Sequence, residues 1–439
     1  MTDFGSDPLG ESERKRIMAA AKPRRRLQVL PSQRVHSLLP LRDKDAHQRP
    51  VYAVWELTLK CDLACRHCGS RAGRARSDEL STDEALSVVT QLASLGVHEV
   101  TLIGGEAYLR EDWTQIASAI VANGMKCTMT TGGRGMNQAR AEAAARAGIS
   151  AISVSLDGLE DTHDRLRSVV GSYASALRAL GTLRAAGIRA LCNTQINRLS
   201  MPQLPALLDV LLAHGVKHWM LIVTMPMGRA ADEPDVLLQP YDLLNLFPML
   251  AALSERAQSS GLLLQPSNNL GYFGPYEHIL RGHLARGYSS SCGAGRSTVG
   301  IEANGDVKGC PSLPTSSWVG GNLRDASLQD IWQRTAPLRY TRDRTLDDLW
   351  GYCRSCYYAD VCMAGCTWSS QVLLGRPGNN PYCHHRALEH AKMGKRERVV
   401  PLRAAPGVPF DHGGFKLITE ALDGSSVASG VGENEGGIR

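Results

Sequence analysis

The sequence predicts an α/β protein: a partial (β/α)6 barrel over residues 50–285, then a small cysteine-rich domain over 286–390. Between residues 50 and 265, short β-branched apolar runs alternate six times with longer amphipathic runs, the pattern of a parallel sheet with crossover helices. Glycines follow the helical runs at Gly96, Gly124, Gly148, Gly187 and Gly215, where a left-handed C-cap is wanted. Seven of the twelve cysteines lie beyond residue 290, in a stretch of turns and short elements.

In chain order, strands are predicted at 51–59, 99–103, 126–131, 149–156, 190–196 and 219–224. Helices are predicted at 82–95, 113–123, 138–147, 173–186 and 203–214, with a further one at 241–258. Ser81 or Thr82 before Asp83-Glu84 marks the first helix start. Closing, or nearly closing, such a sheet gives a TIM-like barrel with its active site at the C-terminal strand ends. A doubly wound open sheet has the same local pattern. Motifs fall at those ends: Cys61 to Cys68 after the first strand, Gly104-Gly105-Glu106 after the second, Thr131-Gly132-Gly133 after the third and Asp157-Gly158 after the fourth. Beyond residue 288, 299–307 reads as a hairpin turning at Asn304-Gly305, and 328–334 as a short helix.

Composition bounds the function. Hydrophobic residues make up 43% and charged ones 21%, which excludes whole-chain disorder. No apolar run approaches the roughly twenty residues that span a bilayer, and no secretory signal is visible, so the expectation is a cytoplasmic protein with no membrane contact. Residues 1–50 hold eleven Lys/Arg against six Asp/Glu, leaving +1 of the net +6 for the rest. That near-neutral body argues against a nucleic-acid partner. Residues 1–49 read as a basic extension, with runs at Arg14-Lys15-Arg16 and Lys22 to Arg26, and 391–439 as a tail, disordered from about residue 423.

Cys61-x3-Cys65-x2-Cys68 supplies three thiolates from one loop, an odd number for zinc, whose structural sites close with four. A four-iron cluster held by three cysteines keeps one iron open to a chelating ligand. With Gly104-Gly105-Glu106 at the next strand end, this loop resembles that of the radical S-adenosylmethionine (SAM) superfamily. The resemblance implies that Cys61, Cys65 and Cys68 hold a [4Fe-4S] cluster and that its open iron takes the amino and carboxylate groups of SAM. Reduction then releases a 5′-deoxyadenosyl radical that abstracts hydrogen. It also implies that Gly104, Gly105 and Glu106 meet the methionyl amino group, that His67 lies near the adenine, and that Ser155, in Ser153-Val154-Ser155-Leu156-Asp157-Gly158, faces SAM. Two glycines let backbone approach the ligand, and a carboxylate matches an ammonium.

The later cysteines, Cys292, Cys310, Cys353-x2-Cys356-x5-Cys362-x3-Cys366 and Cys383, resemble a SPASM domain, so the likeness covers about residues 50–390. It implies two auxiliary [4Fe-4S] clusters, three in all: one on Cys353, Cys356, Cys362 and Cys383, the other on Cys292, Cys310 and Cys366. No cysteine follows shortly after Cys292, where some members carry one; Thr298 stands there. Without the upstream loop, the Cys353 to Cys366 spacing fits zinc as well as iron.

Other residues read more simply. Cys127 and Cys192 lie in strands as buried thiols, and His384-His385 ends a helix. Trp318, Trp332, Trp350 and Trp368 pack the small domain between its clusters. Arg167, in His163-Asp164-x2-Arg167, reads as a helix-start ion pair or a SAM contact, and Pro226 to Ala230 as shaping the substrate side of the barrel mouth. The family resemblance implies an oxidative peptide maturase with a precursor peptide and a reductant such as flavodoxin or ferredoxin as partners. The alternatives are a member acting on a small molecule or tetrapyrrole, and a zinc-binding nucleic-acid protein.

Overall fold

A computed structural model describes residues 38–288 and 291–425. The basic run at 14–26 and the chain beyond 425 lie outside the described residues.

The six predicted strands form in order: β1 (Tyr52–Glu56), β2 (Glu99–Ile103), β3 (Lys126–Thr131), β4 (Ala151–Ser155), β5 (Arg189–Ile196) and β6 (His218–Val223). Each pairs in parallel with the next in sequence. That consecutive order is singly wound and removes the doubly wound alternative. Two additions flank it: β7 (Leu263–Pro266) pairs in parallel with β6, and β8 (Thr298–Ile301) pairs in parallel with β1. β9 (Asp306–Lys308) and β10 (Val319–Asn322) extend that edge antiparallel. The order β10-β9-β8-β1-β2-β3-β4-β5-β6-β7 leaves the barrel partial. The predicted hairpin at Asn304-Gly305 is present, and its first strand doubles as a barrel strand, a pairing that no local pattern encodes.

The crossover helices are α1 (Thr82–Ser94), α2 (Trp113–Ala122), α3 (Gln138–Arg146), α4 (Glu160–Arg167), α5 (Ser172–Ala185) and α6 (Leu204–Ala213). Ser81 caps α1 reciprocally: its hydroxyl accepts from the Glu84 amide, and the Glu84 carboxylate accepts from the Ser81 amide. Alternating burial along β5 and β6 sends one set of side chains to the helices and the other to the barrel interior. Leu180, Leu183, Leu207, Leu208 and Leu211 are fully buried, each contributing roughly 1.5–3 kcal/mol relative to exposure.

By length and composition alone the stretch Pro234–Ser259 passes as a membrane span, although Asp235, Asp242, Glu255 and Arg256 interrupt it. In the fold 56% of its apolar window is buried, and its helix α7 (Leu243–Ser259) packs Leu246, Phe247 and Leu250 into the core.

Two end segments are better ordered than an extension and a tail. Residues 38–50 lie on the C-terminal region: the Leu39 amide donates to the Arg334 carbonyl, and Trp332 Nε1 donates to the Gln48 carbonyl. Lys395–Arg403 and Gly414–Ala421 form an antiparallel hairpin, pinned by Glu397, which accepts from Arg386 at 2.6 Å on both oxygens. The charged pattern of 395–403 hid this strand, because its buried Glu397 is acceptable only with that distant partner.

Candidate active site and two buried cysteine sets

The loop Cys61 to Cys68 leaves β1 and is fastened from three sides. The Arg66 amide donates to the Leu166 carbonyl at the end of α4. Arg229 donates from Nε to the Cys65 carbonyl at 2.6 Å and from its amide to the Cys68 carbonyl at 3.0 Å. The Gly105 and Glu106 amides donate to the Thr58 and Lys60 carbonyls at 2.7 and 2.9 Å. A Cβ on Gly104 would sit 2.4 Å from the Thr58 carbonyl oxygen, and one on Gly105 2.3 Å from that of Lys60. The two glycines therefore make room for the backbone that starts the cysteine loop. Likewise, Pro226 to Ala230 clamps the cysteine loop: a Cβ on Gly228 (φ +59°) would lie 2.3 Å from the Cys68 and Gly69 carbonyl oxygens.

Cys61, Cys65, His67, Cys68, Gly104, Gly105, Glu106 and Ser155 all border one cavity of about 200 Å³ at the C-terminal strand ends. Its walls also include Thr131, Gln195, Arg167 and Arg229. Glu106 is buried, accepting from the Thr131 hydroxyl and the Gly132 amide at 2.6 Å each. Burial pushes its carboxyl up to about 7, against the pull of those two bonds. Ser155 exchanges hydrogen bonds with Asn193, whose Nδ2 donates to its hydroxyl at 3.1 Å.

Behind the loop lies a buried charged cluster. Asp157 is fully buried, with Arg167 Nη2 at 2.6 Å and His67 Nε2 at 3.0 Å, and its Oδ1 accepts from the Gln195 amide. Burial alone would raise this carboxyl, but Arg167 and His67 hold it well below the usual range. Arg167 ends α4 rather than starting it, and its Nη1 reaches Cys65 Sγ at 3.6 Å. It thus ties a cysteine to the end of β4. His67 borders the cavity while its ring is held toward Asp157.

The donor set fits a cationic centre. Burial pushes the Cys61 thiol up to about 12 and raises Cys65 as well. Two such buried sulfurs on one loop become stable thiolates only against positive charge.

Seven of the remaining cysteines lie in two groups. Cys353, Cys356, Cys362 and Cys383 surround a space of only about 20 Å³ walled by Tyr272, Phe273, Tyr352 and Tyr358. Cys292 and Cys310 pack with Leu313, Trp318 and Trp368. Burial, then the fields of Cys292 and Cys310, push the Cys366 thiol up to about 12. Tyr272, fully buried, feels Cys366 and Cys292 of one set and Cys362 of the other. Cys127 and Cys192 are buried in strands β3 and β5.

Three expectations change. Of the four tryptophans, Trp318 and Trp368 pack the three-cysteine set, whereas Trp332 is buried in the main core and Trp350 lies under Arg376. His384 begins a helix, Cys383 standing at its N-cap, and stacks on Phe247 at 4.3 Å. Asp157, Asn193, Thr131 and Gln195 were not site candidates; they come from the ends of β3, β4 and β5, and only Thr131-Gly132-Gly133 and Asp157-Gly158 gave a local signal.

The pattern of the Radical SAM superfamily matches residues 55–203, and that of the SPASM iron–sulfur cluster-binding domain matches 292–357. Mycofactocin maturase MftC of Mycobacterium ulcerans is 30% identical over 344 residues, 76% of this chain and 88% of that protein. The chain belongs to the radical SAM superfamily. As a radical SAM/SPASM enzyme it uses SAM and iron–sulfur clusters, which removes the zinc nucleic-acid alternative. A second relative, an AdoMet-dependent heme synthase of Methanosarcina barkeri, is 27% identical over 349 residues, 77% of this chain and 97% of the relative. The fold is shared with Streptococcus suis SuiB bound to S-adenosylmethionine (TM-score 0.59, 18% identity, 73% of this chain and 74% of that one). It is also shared with anSMEcpe bound to AdoMet and a peptide (TM-score 0.62, 17% identity, 78% and 97%).

Proposed function

We propose that this radical SAM/SPASM enzyme is a peptide maturase, introducing an oxidative modification such as a cross-link. The observation that carries this reading is the 30% identity to mycofactocin maturase over most of both chains. The SuiB fold, solved with its precursor peptide SuiA, adds support.

In this reading Cys61, Cys65 and Cys68 hold the SAM-binding cluster, Gly104, Gly105 and Glu106 face the methionyl amino group, and His67 and Ser155 line the wall for the adenosyl part. The cluster and SAM, when bound, supply a 5′-deoxyadenosyl radical that abstracts hydrogen. The chain's own residues prepare the site. Glu106 is fixed by Thr131 and Gly132 so that its carboxylate meets an ammonium without reorganising. Arg167 and Asp157 keep the cysteine loop in one position relative to β4. Cys353, Cys356, Cys362 and Cys383 hold one auxiliary cluster, and Cys292, Cys310 and Cys366 the other. A flavodoxin or ferredoxin supplies electrons.

The heme synthase relatives favour a second reading, a tetrapyrrole substrate. Anaerobic reconstitution followed by iron counting tests the cluster assignment: about twelve irons per chain are expected from three clusters of four. Release of 5′-deoxyadenosine with candidate precursor peptides, set against an iron porphyrin, tests the substrate. A mass change in a peptide supports the maturase, and turnover of the porphyrin alone overturns it.

A further inference from the structure

A second, larger cleft lies away from the cysteine loop. It has a volume of about 1030 Å³ and is lined by Arg286, Arg296, Arg342 and Arg344 with a single acid, Asp360. Gln48 and Ser297 form its edge, and the Ser297 carbonyl accepts from the Val51 and Tyr52 amides. The cleft therefore opens at the N-terminal ends of β1 and β8. From there to the C-terminal strand ends is a strand's length, roughly 17 Å for five residues, so it is separate from the candidate active site.

Its positive charge is only partly neutralised. Neither Arg286 nor Arg296 makes an ion pair among the described residues, and both are exposed. The Arg342 side chain is only 6% exposed, yet its Nε has no partner. Its Nη2 donates to the Trp332 carbonyl, and its nearest acid, Asp45 at 3.4 Å, already faces Arg42 and Arg339. Arg344 donates from Nη2 to Ser291, and its buried Nε is likewise without a partner. A buried guanidinium nitrogen with no acceptor is costly unless a ligand supplies one. Guanidinium forks suit carboxylates in particular.

We propose that this cleft binds an acidic segment of the peptide substrate, holding it on the face opposite the reacting end. The inference rests on the peptide reading above. A concave site suits one extended chain better than a folded acidic protein, whose interface is broad and shallow. A nucleic acid would require stacking platforms, and Tyr288 is the sole aromatic lining residue.

The test is fluorescence anisotropy on the reconstituted full chain with labelled octaglutamate, and with octalysine and an oligothymidine of equal length as comparisons. Octaglutamate is expected to bind, with affinity falling as salt rises. Arg296→Glu, and separately Arg344→Ala, should each weaken it roughly tenfold, as expected for loss of one charge-assisted hydrogen bond. Arg146→Glu, on the exposed face of α3, should not change it. Peptide-independent 5′-deoxyadenosine release at the wild-type level shows that each variant is folded. Arg296→Glu is exposed and keeps the test valid if Arg344→Ala does not fold. Equal octaglutamate binding in wild type and Arg296→Glu overturns the proposal, as does oligothymidine binding as tightly as octaglutamate. If octaglutamate occupies the cleft but only a porphyrin is turned over, the site stands and the peptide reading falls.

Discussion

The three-cysteine loop of the barrel and the four-cysteine set near the C-terminus use the same side chain in opposite surroundings. The barrel loop faces a cavity of about 200 Å³ lined by Glu106, Ser155 and Gln195, and is backed by the Asp157–Arg167 pair. The four-cysteine set borders a space of about 20 Å³ walled by Tyr272, Phe273, Tyr352, Tyr358 and His385 with Ala359, Ala364 and Asn380. A fully ligated metal centre needs no further room, whereas one that must bind a reactant keeps an open, polar side. In the proposed reading, three sulfurs would leave a position open beside the larger cavity, and four would close the smaller one. Of the remaining set, Cys292 and Cys310 pack with Trp318 and Trp368, and Cys292 also borders the cleft of about 1030 Å³.

The largest effect expected from this contrast is on SAM cleavage. Cys65→Ala should abolish 5′-deoxyadenosine release and remove about four irons per chain. Cys383→Ala should remove a similar number of irons while leaving measurable SAM cleavage. Equal loss of cleavage in both variants would mean that the two sites do not differ in function.

Next comes the support behind the open site. Arg167→Ala leaves Asp157 as a buried charge with only His67 beside it, and should cost about 3–5 kcal/mol of unfolding free energy. Urea denaturation of the apo protein reads this, and Arg167→Lys should recover part of it.

A smaller, pH-dependent effect is expected where the two regions join. Arg76 links Glu56 of β1 to Glu302 at the end of β8, at 3.3 and 2.7 Å, near the hairpin that leads to Cys310. Burial, aided by Glu302 and opposed by Arg76, pushes the Glu56 carboxyl up to about 7. In the fold it stays protonated to higher pH than in the unfolded chain. Its contribution to stability is therefore full below the ordinary carboxylate value and is lost as pH rises through about 7. Glu56→Gln should flatten the fall in stability between mildly acidic and mildly alkaline pH, and an unchanged profile would place the titration elsewhere. The smallest effect should come from Ser327→Ala at the N-cap of the helix Leu328–Arg334, whose hydroxyl accepts from the Asp330 amide. It should cost about 1 kcal/mol by thermal denaturation, with the iron content unchanged.

Much of this molecule was readable from residue order alone. Strand and helix periods marked β1 to β6 and their crossovers, since apolar spacing and C-cap glycines are local. The Cys61 to Cys68 loop was readable in its spacing, whereas the grouping of the later cysteines came only from the resemblance to SPASM domains. β7 was too short to announce itself, and the strand at 395–403 was concealed by charges whose partners lie elsewhere. Only the tertiary structure decided what stands behind the cysteine loop. Arg167 closes on Asp157 and Cys65, Arg229 clamps the Cys65 carbonyl, and Gly104-Gly105 lets the Thr58 and Lys60 carbonyls approach. Those contacts join residues on different strands, and their energies come from excluding water around paired charges, so no local pattern could state them.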